Sequence, residues 1–194
     1  IILGVPEDVH TLLTDFGFSN PGITVINPNN YANFDTMRQE FITLRKGKVD
    51  ESQADEILRD VNYFGVMLVQ LGLAEGMVSG AIHSTADTVR PALQIIKTKP
   101  GVKRTSGVFL MVKDQHKFVF GDCAINIEPD AETLAEIAIQ SAETAKTFGI
   151  DPKVAMISYS TKGSGSGPRV DKVVEATRIA QELRPDLLID GELQ

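Results

Sequence analysis

The chain has 194 residues, 42% hydrophobic and 23% charged, with 19 Lys+Arg against 26 Asp+Glu for a net charge of −7. That composition excludes a disordered or fibrous chain, and the acidic surplus argues against a polyanion such as nucleic acid as a partner. No apolar run approaches the ~18 residues of a membrane helix, so a cytoplasmic protein is the default, and one cysteine, Cys123, with three scattered histidines supports neither a disulfide nor a metal site.

The sequence opens on Ile1-Ile2-Leu3-Gly4, already apolar and without a methionine, and stops just after the apolar run Leu187-Leu188-Ile189. Termini cut so close to core segments are uncommon, so an internal piece of a longer protein is expected. Apolar β-rich runs at residues 23–26, 77–79, 108–112, 118–120, 154–158 and 187–189 alternate with helical patterns, the arrangement of βαβ units around mainly parallel sheets.

In chain order, Asp35 is placed to cap a helix reaching Arg45 and Lys46, with Gly47 to end it. Asp50 with Gln53 has the spacing of a capping box. Residues 99–105 are polar and rich in turn formers, which suggests a domain boundary near Gly101. Lys113-Asp114-Gln115-His116 separates two strand candidates and suits an antiparallel hairpin. Over residues 131–148, Leu134, Ile137, Ala138, Ala142 and Ala145 keep to one helical face and Gly149 stops the helix, and a last amphipathic helix over 170–183 ends before Pro185.

Two segments combine small residues, hydroxyls and charge. Val78-Ser79-Gly80-Ala81-Ile82-His83-Ser84-Thr85-Ala86-Asp87-Thr88-Val89-Arg90-Pro91 reads as a strand, a hydroxyl-rich loop and a helix with Pro91 in its first turn. The unpaired N–H groups of a helix start, four hydroxyls and Arg90 suit an anion. The alternative is that Ser84 or Asp87 only caps the helix while Arg90 pairs with a surface carboxylate. Ser158-Tyr159-Ser160-Thr161-Lys162-Gly163-Ser164-Gly165-Ser166-Gly167 repeats the plan, without the order of a Walker A or dinucleotide fingerprint. It is either a ligand loop at the carboxyl edge of a sheet or a flexible connector. Cys123 is expected to be a buried inert thiol and His83 a hydrogen-bonded structural histidine. Arg45 and Lys46 serve a helix dipole on the simplest account, and Asp122 has no evident partner as a base.

These residues resemble the phosphate acetyltransferase family. The likeness runs through the 78–91 and 158–164 segments, Gln94-Ile95-Ile96-Lys97-Thr98, Ile189-Asp190-Gly191-Glu192-Leu193-Gln194, Leu44-Arg45-Lys46-Gly47-Lys48 and Gly121-Asp122-Cys123-Ala124-Ile125-Asn126, in order along the whole chain. The resemblance implies two α/β/α domains of the isocitrate and isopropylmalate dehydrogenase type, residues 1–101 in part of the first and 102–194 in part of the second, with the active cleft between them. It implies a homodimer using neither metal nor nicotinamide, with acetyl phosphate, phosphate and coenzyme A as substrates rather than cofactors.

By the same resemblance Arg90 and Arg45 are catalytic. Ser79, Gly80, His83, Ser84, Thr85 and Thr88 would bind substrate, with Tyr159, Ser160, Thr161 and Lys162 facing them. The family's Asp-Leu-Ser-Arg-Gly segment, and the aspartate after it that is thought to act as base, have no match in these residues, nor do the family's first strand and helix. The 194-residue chain by itself is therefore expected to be inactive. A non-catalytic sensor of acetyl phosphate or acetyl-CoA and a phosphate butyryltransferase are the other readings. A decarboxylating dehydrogenase of similar fold lacks its metal carboxylates and cofactor loop.

Overall fold

A computed structural model describes residues 1–18 and 22–194, which divide into two compact units, Ile1–Lys97 and Thr98–Gln194. Among the described residues there are seven α-helices, one short 3₁₀ turn and three two-stranded sheets, two of them parallel. No helix among them is long and apolar enough to cross a membrane.

In the first unit β1 (Ile2–Leu3) pairs in parallel with β2 (Val25–Ile26), and α1 (Pro6–Asp15) connects them. The 3₁₀ turn Pro28–Asn30 precedes α2 (Phe34–Arg45). Asn33, not Asp35, holds the N-cap position of α2. Asp35 sits one residue into the first turn, where its carboxylate lies 2.8 Å from Arg38 Nη2. The helix ends as expected, with Lys46 and Gly47 both at positive φ (52° and 75°).

Helix α3 (Glu51–Leu58) starts with the expected reciprocal box: the Gln53 N–H donates to Asp50 Oδ1 and the Asp50 N–H to Gln53 Oε1. Helix α4 (Val61–Gln70) is capped by Asp60 and is buried over most of its length, which is why no amphipathic period announced it. Its Phe64, Met67 and Leu68 join Met37, Phe41, Ala54, Leu58 and Ile95 in one core. Tyr31 meets Phe64 edge-on at 5.2 Å and Phe41 meets Tyr63 at 6.2 Å.

After α4 the chain does not form the expected strand at 77–79. Val78 and Ile82 stay exposed, and the segment is held instead by side-chain contacts to α4. It enters α5 (Thr85–Ile95) at Ser84, so Pro91 lies inside the helix rather than in its first turn. There the proline lacks the N–H that would reach the Asp87 carbonyl, and its ring is buried.

The second unit begins with the expected hairpin. β3 (Val108–Lys113) pairs antiparallel with β4 (His116–Gly121), and only Asp114 and Gln115 form the turn. Asp114 has φ 54°, the left-handed conformation that a two-residue hairpin turn requires. Helices α6 (Ala131–Thr147) and α7 (Pro168–Leu183) cover the parallel pair β5 (Lys153–Ile157) and β6 (Leu188–Leu193).

The core of the second unit is made of small residues, with Ala135, Ala138, Ala142, Ala176 and Ala180 packed against Met156, Val173, Leu187 and Ile189. Small side chains let the helices approach closely, and at Gly191 of β6 the strand has no room for a side chain against β5 and α7. A methyl group there would lie 2.5 Å from Met156 Cβ and 2.6 Å from Thr177 Oγ1.

Candidate functional site

In the first unit Ser84 caps α5 by accepting from the Asp87 N–H at 3.1 Å, and its hydroxyl donates to Asp87 Oδ2 at 2.6 Å. Thr88 Oγ1 donates to the Ser84 carbonyl at 3.0 Å. Gly80, at φ 107°, brings the preceding loop beside this turn: a methyl group on it would lie 3.8 Å from Thr88 Oγ1. Gly80, Ser84 and Thr88 therefore form one cluster, with Thr85 exposed on the same first turn.

Ser79 is tied down from below. Its hydroxyl donates to Asn62 Oδ1 at 2.5 Å, and Asn62 is 1% exposed with no partner for Nδ2 among the described residues. His83 is half-buried, and the expected hydrogen bond is not seen with any described residue.

Arg90 projects from the second turn of α5, its side chain 56% exposed, with Nη1 3.8 Å from Asp87 Oδ1. An ion pair that open contributes ~0–1 kcal/mol, so the guanidinium is held loosely. Arg45 comes from the last turn of α2 and reaches α5 one turn beyond Arg90, where Nη1 donates to the Gln94 carbonyl at 3.5 Å. Among the described residues the buried Nε of Arg45 has no partner, and Tyr63 braces Gln94 by donating to its Oε1 at 3.0 Å. Both arginines thus meet the same stretch of α5.

The second hydroxyl-rich loop turns its polar groups inward. Ser160 is 0% exposed; its hydroxyl donates to Glu192 Oε1 at 2.9 Å and accepts from the Gly165 N–H at 2.9 Å. Thr161 accepts from the Gln194 N–H at 2.9 Å. Lys162 pairs with Asp190 and donates to the Gly191 carbonyl at 2.8 Å. Tyr159 is 57% exposed and fastened by its hydroxyl to the Ser166 carbonyl at 3.0 Å. The loop is a built structure, not a flexible connector.

Carboxylate electrostatics follow from these bonds. The Gly163 N–H, ahead of the N–H of Glu192 itself, Ser160 and Lys162, holds Glu192 below the usual carboxylate range despite its burial. The Lys162 ammonium, with the Gly191 N–H, does the same for Asp190. At Asp122 burial pushes upward most strongly, but donors from Asn126, Gly107 and Ile125 together outweigh it and hold the group low. Those donors occupy both its oxygens, so Asp122 organises the loop after β4 and has no lone pair set aside for a base. Cys123 is half-buried rather than buried, with Sγ donating to the Phe120 carbonyl at 2.9 Å. Among the described residues no cluster of three or more His, Cys, Asp or Glu is arranged to hold a metal.

Sequence reasoning gave no role to Asn62, Gln94, Asp190 or Glu192. The last two follow an apolar run at the carboxyl end of a strand, a position where α/β ligands gather, and that rule would have found them. Asn62 offered no signal, because its partner lies 17 residues further on.

The pattern matches known proteins from end to end. The family model described as phosphate acetyl/butaryl transferase matches residues 1–194. A phosphate acetyltransferase of Bacillus subtilis is 53% identical over 194 residues, covering all of this chain and 60% of that protein. One from Staphylococcus aureus is 53% identical over 198 residues with the same coverage. A phosphotransacetylase structure from Streptococcus pyogenes superposes with TM-score 0.90 at 66% identity, covering the whole chain and 60% of its own. A phosphotransacetylase from S. aureus gives 0.89 at 52% identity. The chain therefore spans 60% of the length of these relatives and belongs to the phosphate acetyl/butaryl transferase family.

Proposed function

We propose that this chain carries part of the machinery for reversible acetyl transfer between acetyl phosphate and coenzyme A. The thiolate sulfur attacks the acetyl carbonyl, the carbon–oxygen bond to phosphorus breaks, and phosphate leaves with the electron pair, with no acyl-enzyme. The thiol proton passes to a base that this reading does not place among the residues of the chain.

The carrying observation is the family match over all 194 residues, with Arg90 and the start of α5 standing open to solvent within it. The first-turn N–H groups of α5, the Thr85 hydroxyl and the Arg90 guanidinium are donors suited to a phosphate dianion and to the charge that grows on it during transfer. Arg45, Ser79, Gly80, His83, Ser84 and Thr88 support that set. In the second unit Tyr159, Ser160, Thr161 and Lys162 are assigned to substrate binding. Lys162 would have to leave Asp190 to meet a phosphate directly.

The finer architecture goes with this proposal: two domains of the isocitrate and isopropylmalate dehydrogenase type divided near Gly101, a cytoplasmic homodimer, and coenzyme A as substrate with no resident cofactor. A butyryl-transferring enzyme is the second reading, because the matching family model names both acyl groups. Comparing acetyl phosphate with butyryl phosphate as donors, in the full-length protein, tests both. A kcat/KM higher for acetyl phosphate supports the first reading, and the reverse order supports the second.

A further inference from the structure

Glu192 is a carboxylate 4% exposed, at the end of β6, and it is the hub of the second loop. One of its oxygens, Oε1, accepts from the Gly163 N–H at 2.7 Å and from Ser160 Oγ at 2.9 Å. Ser160 passes the contact on to the Gly165 N–H at 2.9 Å. The Glu192 carbonyl accepts from the Lys162 N–H at 3.3 Å, while the Lys162 ammonium binds the Gly191 carbonyl and Asp190. The turn at 160–165 is thus wound around a single buried acceptor atom. Lys162 and Gly163, at φ 47° and 83°, take up left-handed conformations within it.

We infer that Glu192 is a positioning residue: its Oε1 sets the conformation of the 158–167 loop and so the places at which Lys162 and the exposed Tyr159 meet a phosphate-bearing substrate. The inference rests on the reading of this loop as substrate-binding. It assigns to Glu192 the work of an acceptor, which an amide oxygen performs as well as a carboxylate. A reacting or charge-bearing role would need the carboxylate itself.

The test uses Glu192→Ala and Glu192→Gln in the full-length protein, with kcat and KM measured for acetyl phosphate and for coenzyme A, and amide exchange measured at Gly163 and Gly165. The alanine variant is expected to raise KM for one of the two substrates roughly 10- to 100-fold, the range that follows from orphaning buried donors, with kcat moving less. Glutamine is expected to restore that KM to within about threefold, because it keeps the acceptor, and to restore slow exchange at both glycines. An unchanged KM in the alanine variant, or a glutamine variant as impaired as alanine, overturns the inference. If alanine at 192 prevents folding, Ser160→Ala, which keeps the carboxylate, should raise the same KM by a smaller factor, and no change there overturns it equally. Should the wild-type protein form no acetyl-CoA, the reading of the function fails separately. The exchange rates then decide whether Glu192 sets the loop, since unchanged protection at Gly163 in the alanine variant contradicts it.

Discussion

Residues 79–90 of the first unit and 158–167 of the second are both rich in hydroxyls and both enter a helix, and they differ in how firmly the fold holds their cationic side chain, Arg90 in the first and Lys162 in the second. In the first, Ser84 closes one turn of α5 while Thr85 and Arg90 remain open to solvent. In the second, Ser160 is buried and Thr161, Lys162 and Gly163 are bonded to residues at the end of β6. A helix start leaves donors unused by the fold, whereas a loop wrapped on a buried carboxylate spends them on its own shape. Arg90 is therefore where a substitution should cost rate, and the close packing at Gly191 is where one should cost stability.

Arg90→Ala sets that contrast at its widest. In the full-length protein it should lower kcat roughly 10²- to 10³-fold, as loss of one preorganised donor does, and far more than Arg45→Lys. Because its only ion pair among the described residues is open, urea unfolding should shift by no more than about 0.5 kcal/mol. Near-native kcat/KM for acetyl phosphate would return Arg90 to a surface role. Gly191→Ala should show the converse in the second unit. Its methyl group would press on Met156 and Thr177, and the expected loss is about 1–3 kcal/mol by denaturant titration. A neutral result would mean that α7 and β5 yield more easily than their packing suggests.

Within the first loop the comparison sharpens further. Ser84→Ala removes a helix cap and should cost about 1 kcal/mol, while Thr85→Ala, one residue on and exposed, should stay within about 0.5 kcal/mol in the same melts. Equal costs would remove the distinction between the capping hydroxyl and the open one. The smallest effect belongs to Cys123→Ala. Its thiol makes one bond to a carbonyl and takes no part in the proposed transfer, so most activity should remain, with a stability change of about 1 kcal/mol or less. An acetyl thioester trapped on Cys123 would contradict direct transfer.

What the sequence disclosed was local. The Asp50–Gln53 box, the hairpin after residue 107, and α6 ending at Gly149 each follow from neighbours a few residues apart, and each stands as expected. The misreadings are tertiary. Residues 77–79 have a strand's composition, but Ser79 is held by the side chain of Asn62 and Met77 lies against Gly65, so no ladder forms. Pro91 looked like a helix start because proline is favoured there; Ser84 won, since its hydroxyl reaches the Asp87 N–H and the buried ring packs within the helix. For the candidate site, the plainer of two readings, Ser84 capping α5 and Arg90 paired with a surface carboxylate, was legible from residue type and spacing. The inward turn of Ser160 and Lys162 was not, because Asp190 and Glu192 lie about thirty residues away in sequence.

The most direct measurement is the rate at which the full-length protein forms acetyl-CoA from acetyl phosphate and coenzyme A, followed together with phosphate release. Direct transfer predicts turnover with one phosphate released per acetyl-CoA formed and no acetylated protein. Saturable binding of acetyl phosphate without turnover would contradict it and make the α5 loop part of a sensing module.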